Sequence, residues 1–326
     1  MEPILEVKDL RKYFEIKKGV FGKKFYVKAV DGVDLLLYRG EGLSIVGESG
    51  SGKTTLGKTI LRLYEPTDGR IFFDGRDITH LTLKELRWFR RETGLVQQDP
   101  FGALPPFMTV KKILEEPLII HGIKNKEERL ERIYNAMEQV KLVPVEEFIM
   151  KYPHMLSGGQ QQRLVIARSI ILEPKMIIAD EPVSMIDVSV RIGILKLLKE
   201  LQEKLKLSII YITHDLSTTK YFSDRICIMY AGMIVEEAPM RELLQNPLHP
   251  YTQSLLKVIP DPDPNNRFII KDVPPGEPPS LINPPSGCRF HPRCAYFMKG
   301  ICDSGIPLLI KVGERHYVRC YLYEKR

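Results

Sequence analysis

"GESGSGKTTL", residues 47–56, is the stretch whose reading decides the fold. A short apolar run, Leu43, Ser44, Ile45 and Val46, precedes it, and a segment with helical spacing follows. So many small residues make a poor core strand, but their backbone N–H groups can curl around phosphate oxygens. The spacing Gly47-x4-Gly52-Lys53-Thr54 is that of a strand–loop–helix phosphate cradle. Gly47, Ser49, Gly50, Ser51 and Gly52 form the candidate cradle, Lys53 can reach the terminal phosphates, and the Thr54 hydroxyl, beside Thr55, can coordinate Mg²⁺. A chance Gly-rich turn would not need the strand, the helix and the full spacing together.

Working outward, residues 1–45 alternate apolar and polar in short pieces and read as antiparallel strands. The helix after the loop is expected from 53 to about 64, "GRIFFDG" (69–75) reads as a strand, and "LKELRWFRRE" (83–92) has helical spacing. From about 98 to 168 the pattern is mostly helical, which predicts a helical subdomain inserted in a nucleotide-binding core. "MIIAD" (176–180) and "LSIIYIT" (207–213) are continuous apolar runs, as in parallel strands covered on both faces. "VRIGILKLLKELQEKLK" (190–206) supplies the crossover helix between them, and "RICIMY" (225–230) and "MIVEE" (233–237) are further strands. Beyond Leu248 the composition changes, and nine Pro between Pro260 and Pro285 mark an extended connector. No internal repeat is present.

The composition, 44 % hydrophobic and 27 % charged over 326 residues, provides for a sizeable core and one large domain with an appendage or two domains. No run approaches the roughly 18 consecutive apolar residues of a membrane span. The N-terminus, "MEPILEVKDL", has neither the basic start nor the apolar core of a secretory signal, so a cytoplasmic protein is expected. Lys and Arg are spread along the chain, so the net charge of +7 reads as a solvated surface plus a phosphate site, not as a nucleic-acid block.

A phosphate cradle that hydrolyses needs carboxylates at the end of an apolar strand. "MIIADE" provides Asp180 to orient the Mg²⁺ shell and Glu181 to polarise a water for in-line attack. "MLSGGQQQRLVIARSI" (155–170) then adds a second anion site at a helix start, comprising Ser157, Gly158, Gly159 and Gln160. One protomer has no need of two such sites, but two protomers packed head to tail do.

Here the sequence resembles the ABC ATPases, with Leu156-Ser157-Gly158-Gly159-Gln160 similar to their signature motif. Gln98 in "QQDP" resembles the Q-loop glutamine, Ser184-Met185-Ile186-Asp187 the D-loop, and His214 in "YITHD" the switch histidine, all in the family order. The resemblance implies an α/β P-loop NTPase of the ABC cassette type, with a mixed sheet core, an antiparallel β subdomain and a helical subdomain. It implies that Gln98 contacts Mg²⁺ and the attacking water, that His214 touches the γ-phosphate, and that Asp187 joins the nucleotide interface. An aromatic stacks on adenine in the family, and by spacing Phe14 is preferred over Tyr13. Two departures stand out, Met185-Ile186 in the D-loop and "PFGALPPFMTV" (100–110) on the coupling surface.

"NPLHPYTQSLLKVIP" and "GEPPSLINPPSGCRFHPRC" resemble the C-terminal region of oligopeptide/dipeptide importer ATPases, relatives of which also carry nickel or oligosaccharides. The expected domains are an ATPase domain at 1–245 and a small Pro/Cys-rich C-terminal domain at 246–326. The resemblance implies an ATPase powering solute import from the cytoplasmic face of the membrane, as a peripheral subunit. Its partners would be two membrane-spanning permease subunits, an extracytoplasmic solute-binding protein, and a second ATPase subunit, in a heterodimer or a homodimer, with no nucleic acid. The rival class is an ABC ATPase acting on nucleic acid or ribosomes, whose hallmarks, a second cassette and a long coiled coil, are missing.

Cys227 lies alone in an apolar run and reads as core, whereas Cys288, Cys294, Cys302 and Cys320 fall near the end as C-x5-C-x7-C-x17-C. In a cytosolic chain such a group suggests metal more than disulfides. Four thiolates could hold a [4Fe–4S] cluster, as some relatives carry, or zinc with His291 and His316 as substitutes, or no metal. A structural staple is the expected role, since so short a tail buries little core.

Overall fold

A computed structural model describes residues 2–17, 24–258 and 276–324. The first part of the expected proline-rich connector, 260–275, lies outside the described residues.

In chain order the early elements are β1 (Pro3–Lys17), β2 (Lys24–Tyr38), β3 (Gly42–Val46), α1 (Lys53–Ile60), β4 (Asp68–Phe73) and β5 (Arg76–Asp77). Next come α2 (Arg87–Glu92), β6 (Thr93–Val96), α3 (Pro100–Ala103), α4 (Val110–Ile120), α5 (Lys126–Gln139), α6 (Val145–Phe148) and α7 (Gly158–Ile170). They are followed by β7 (Met176–Asp180), α8 (Val188–Leu205), β8 (Ser208–Thr213), α9 (Leu216–Thr219), β9 (Arg225–Tyr230) and β10 (Met233–Pro239). Last are α10 (Met240–Gln245), α11 (Pro250–Val258), β11 (Ile310–Gly313) and β12 (His316–Val318).

The chain divides into two compact units that interleave in sequence. One comprises Met1–Ile4, Leu37–Gly42 and His80–Ile212, and the other Leu5–Leu36, Leu43–Thr79 and Thr213–Arg326.

In the first unit β6, β7 and β8 are parallel neighbours, with Ile178 paired to Leu95 on one side and Ile210 on the other. Every residue of β7 and β8 is buried, which is why both read as unbroken apolar runs. Between β6 and β7, helices α4, α5 and α7 start at side-chain caps, which satisfy N–H groups that the helix itself leaves open. Thr109 Oγ1 accepts from Lys112 N, Asn125 Oδ1 from Glu127 N and Glu128 N, and Ser157 Oγ from Gln160 N. The predicted helical stretch 98–168 is thus a run of five short helices with four breaks, two of them at Gly122 and Pro144.

In the second unit a four-stranded sheet has the order β2-β1-β4-β5, with β1 antiparallel to β4 and β4 to β5. Five further strands follow the order β11-β12-β10-β9-β3. Two expectations need correction here. The segment 42–46 is not antiparallel: β3 pairs parallel with β9, Ile45 opposite Cys227, because its partner arrives from far along the chain. The helix after the loop stops at Ile60 instead of about 64, because Arg62 takes a left-handed φ of 53° and Leu63 N donates back to Lys58 O.

Residues beyond 245 share a core with these strands. Val46, Ile228, Tyr230 and Leu243 pack in one cluster with Tyr251 and Phe290. The rings of Tyr230 and Tyr251 are 4.5 Å apart, and Phe290 lies 5.3 Å from Tyr230. A buried carboxylate adds a polar clasp: Glu236 accepts from Leu248 N at 2.7 Å, His249 N at 2.9 Å and His316 Nε2 at 2.8 Å. Glu236→Ala leaves those three groups without their acceptor, at a cost of about 3 kcal/mol. A fall of several degrees in the thermal melt is expected, and an unchanged melt would contradict the clasp.

Among the described residues no helix is long and apolar enough to cross a membrane.

Candidate functional site

The phosphate loop leaves β3 and enters α1 within the second unit. Gly52 has φ +105°, and a Cβ there would stand 2.0 Å from the carbonyl oxygen of Ala29, so only Gly fits. Ser49 and Gly50 are exposed, Gly47 and Ser51 are buried, and Thr54 and Thr55 are half-buried on the first turn of α1. Lys53 is buried, and its ammonium donates to the carbonyl oxygens of Gly47 at 2.8 Å and Glu48 at 2.9 Å. The side chain therefore ties the loop closed while placing its charge where the loop would receive an anion.

Aromatic residues 13 and 14 lie on β1. The Tyr13 hydroxyl donates to Asp31, and burial with that bond pushes its pKa up to about 12. Phe14 meets Tyr64 edge-on at 5.4 Å, with the Lys12 ammonium 5.0 Å from its ring centre. Tyr13 is committed to a structural bond, whereas the contacts of Phe14 among the described residues are to a ring and an ammonium.

In the first unit, β7 ends at Asp180, which is buried, and Glu181 follows it with φ 45°. That left-handed backbone is unusual for Glu and is held from both sides. Glu181 N donates to Ile212 O at 2.9 Å, and Glu181 O accepts from Ser184 Oγ at 3.0 Å. Gln98, beyond the end of β6, donates from Nε2 to Glu181 Oε2 at 3.1 Å. The structure therefore brings Gln98 and Glu181 together at the carboxyl ends of adjacent parallel strands, where open α/β sheets bind ligands.

The stretch 157–160 forms a complete capping box: Ser157 Oγ accepts from Gln160 N, and Gln160 Oε1 accepts from Ser157 N at 2.9 Å. Gly159 is required by packing, because a Cβ there would meet Val190 Cγ1 at 2.8 Å, whereas Gly158 has room. Ser157 and Asp187 are both exposed, and Asp187 starts α8 without a side-chain cap bond. His214, in the second unit, is exposed in the turn after β8. Its neighbours fix that turn, with Asp215 N donating to Thr213 Oγ1 at 3.0 Å and Ser217 N to Asp215 Oδ1 at 2.9 Å.

The segment after Gln98 is built by Asp99, whose carboxylate accepts from Phe101 N at 2.9 Å and caps α3. Phe101 and Phe107 are exposed. A cavity of about 320 Å³ is lined by Gln97, Ala103, Leu104, Ile120 and Arg168.

A second grouping lies near the end of the chain. Cys288, Cys294, Cys302 and Cys320 are free thiols lining one small cavity, together with His249 and His291. Burial raises the pKa of Cys288 to about 11 and of Cys320 to about 12, and each is raised further by the other thiols. His249 is buried and its Nε2 has no partner among the described residues. Burial pushes its pKa down to about 4, so it is neutral. Among the described residues no group of three or more His, Cys, Asp or Glu is arranged to hold a metal ion. His316 does not join the thiols but bonds Glu236. Cys227 is buried in β9, as expected for core.

A phosphate loop with a second capped helix start is what the ATP-binding cassette class requires, since each of two protomers completes the other's nucleotide site. The family model described as ABC transporter matches residues 30–184, and that described as oligopeptide/dipeptide transporter, C-terminal region, matches 235–302. The oligopeptide transport ATP-binding protein AppF of Bacillus subtilis is 45 % identical, with 99 % of this chain and 98 % of that protein covered. The dipeptide transport ATP-binding protein DppF of Haemophilus influenzae is 44 % identical, covering 98 % and 96 %. A solved dimeric ATP-binding cassette in a post-hydrolysis state with ADP and Pi is 33 % identical with a TM-score of 0.64, covering 73 % of this chain and 99 % of that one. The chain belongs to the ATP-binding subunits of ABC transporters, in the oligopeptide/dipeptide family, and is an ATPase.

Sequence reasoning did not find Glu48, Tyr251 and Arg293, which meet at the phosphate loop. An acidic residue among glycines and serines was the available signal.

Proposed function

We propose that this chain hydrolyses ATP to power the import of oligopeptides or dipeptides through a membrane complex, acting at the cytoplasmic face. The observation that carries the reading is the Gln98–Glu181 pair beyond β6 and β7, in a chain so similar over its whole length to peptide-transport ATP-binding proteins. In this reading Gly47, Ser49, Gly50, Ser51, Gly52, Lys53, Thr54 and Thr55 bind phosphate, and Thr54, Gln98 and Asp180 serve Mg²⁺. Glu181 polarises the attacking water, His214 stabilises the charge on the γ-phosphate, and Phe14 stacks on adenine. Ser157, Gly158, Gly159 and Gln160, with Asp187, act on the nucleotide of the opposing cassette. Closure follows ATP binding and reopening follows hydrolysis, a population shift driven by differential affinity for the closed state.

The region 1–245 is the ATPase domain, its helical subdomain at 98–168, and 246–326 is the extension. The exposed rings of Phe101 and Phe107 support contact with two permease subunits, and an extracytoplasmic solute-binding protein would deliver the peptide. The opposing cassette is a related ATPase subunit rather than a second copy. The test is to tag the chain in its native cell, extract membranes in mild detergent and identify what co-purifies. Two multi-span proteins and a second ATPase are expected; recovery with ribosomes or nucleic acid alone would overturn the transport reading.

The four thiols are proposed to hold a [4Fe–4S] cluster as a structural staple. Support comes from four free thiols of one cavity, raised pKa values that positive charge would relieve, and the unpartnered Nε2 of His249. Zinc fits less well, because four thiolates must then converge to about 2.3 Å from one centre. Chain purified without oxygen should absorb near 400 nm in proportion to bound iron and acid-labile sulfide, and Cys294→Ser should lose both. Stoichiometric zinc without iron would sink the cluster.

A further inference from the structure

Glu48, the second residue of the phosphate loop, is held by two residues from beyond the ATPase strands. Its backbone N–H donates to the Tyr251 hydroxyl at 2.9 Å. Its carboxylate receives Arg293 Nη1 at 3.1 Å and 3.4 Å to the two oxygens. Arg293 also reaches the Tyr230 hydroxyl at 3.4 Å, and its side chain is only 8 % exposed.

A carboxylate is chemically out of place in a loop that receives a polyanion. Stability explains the pair poorly, since the desolvation of two charges offsets much of their attraction. Charge balance explains it better: the guanidinium cancels the negative charge that Glu48 would otherwise present to the triphosphate. We propose that Arg293 sets the nucleotide affinity of the phosphate loop by neutralising Glu48, which makes Arg293 a positioning residue for ATP binding. The pair also joins the loop to the thiol site, because Arg293 directly precedes Cys294, and Tyr251 N donates to Nδ1 of His249 in the thiol cavity at 3.1 Å. The proposal rests on nucleotide binding by the loop and not on what the thiols hold.

The test is an equilibrium titration of the full chain with a fluorescent ATP analogue, displaced by MgATP, for Arg293→Gln, Glu48→Gln, their double variant and Arg293→Lys. Arg293→Gln is expected to weaken MgATP binding roughly fivefold, as an uncancelled charge at about 10 Å in partly screened surroundings would. The loss should shrink in high salt. Adding Glu48→Gln to it should restore affinity to within about twofold of the parent, because the charge to be cancelled is gone. Arg293→Lys, which keeps the charge and the fold, should bind as the parent does. Unchanged affinity in Arg293→Gln overturns the proposal while leaving the loop's nucleotide role intact. So does a double variant as weak as the single one, or a loss in Arg293→Lys as large as in Arg293→Gln, since either makes Arg293 a structural prop. Failure of the parent chain to bind ATP would instead refute the reading of the loop.

Discussion

Glu181→Gln is expected to cut steady-state phosphate release by about a hundredfold or more, the range of a lost general base, while ATP still binds. The argument starts from the backbone. Glu181 is fixed in a left-handed conformation by Ile212 O and by Ser184, so its carboxylate points from a set position and not from a flexible loop. Gln98 donates to one carboxylate oxygen at 3.1 Å, which further orients the group. Gln has the same shape and keeps those backbone bonds, so the fold is unaffected, but its amide does not accept a proton at neutral pH. In the proposed reading binding rests on Lys53 and the loop, which the substitution leaves untouched. Closed dimers should therefore accumulate with ATP, visible as a shift in size-exclusion elution against the partner cassette. Turnover at the parental rate would remove Glu181 from the role of base.

Lys53→Ala is expected to weaken nucleotide binding about a hundredfold, the scale of two charge-assisted hydrogen bonds lost together. Two effects act in the same direction. The cation proposed to meet the phosphates disappears, and the bonds to the Gly47 and Glu48 carbonyl oxygens that close the loop go with it. The two can be separated by comparing thermal melts with and without MgATP. The ligand-free melt should move little, because the loop is small, while the stabilisation by MgATP should vanish. A retained nucleotide shift would show that the loop binds phosphate without its lysine.

Much of this was legible locally. The phosphate loop, the strand-end Asp180-Glu181 and the helix start at Ser157 each reside in a few consecutive residues, whose spacing and small side chains dictate their form. The apolar runs of β7 and β8 announced buried parallel strands for the same reason. The pairing of β3 was misread because strand direction is set by the neighbour, and β9 gives no signal near residue 45. The end of α1 was overrun because the left-handed turn at Arg62 uses an ordinary side chain where Gly would have marked it.

The sequence by itself determined the class of ATPase and the residues offered to nucleotide, since those depend on short-range spacing. Only the tertiary structure decided that Tyr13 is spent on Asp31, that Glu236 clasps His316, and that Arg293 lies on Glu48, 245 positions away. The reason is physical: such pairs are chosen by packing of buried strands and rings, here Tyr230, Tyr251 and Phe290, which carry distant charges to one place.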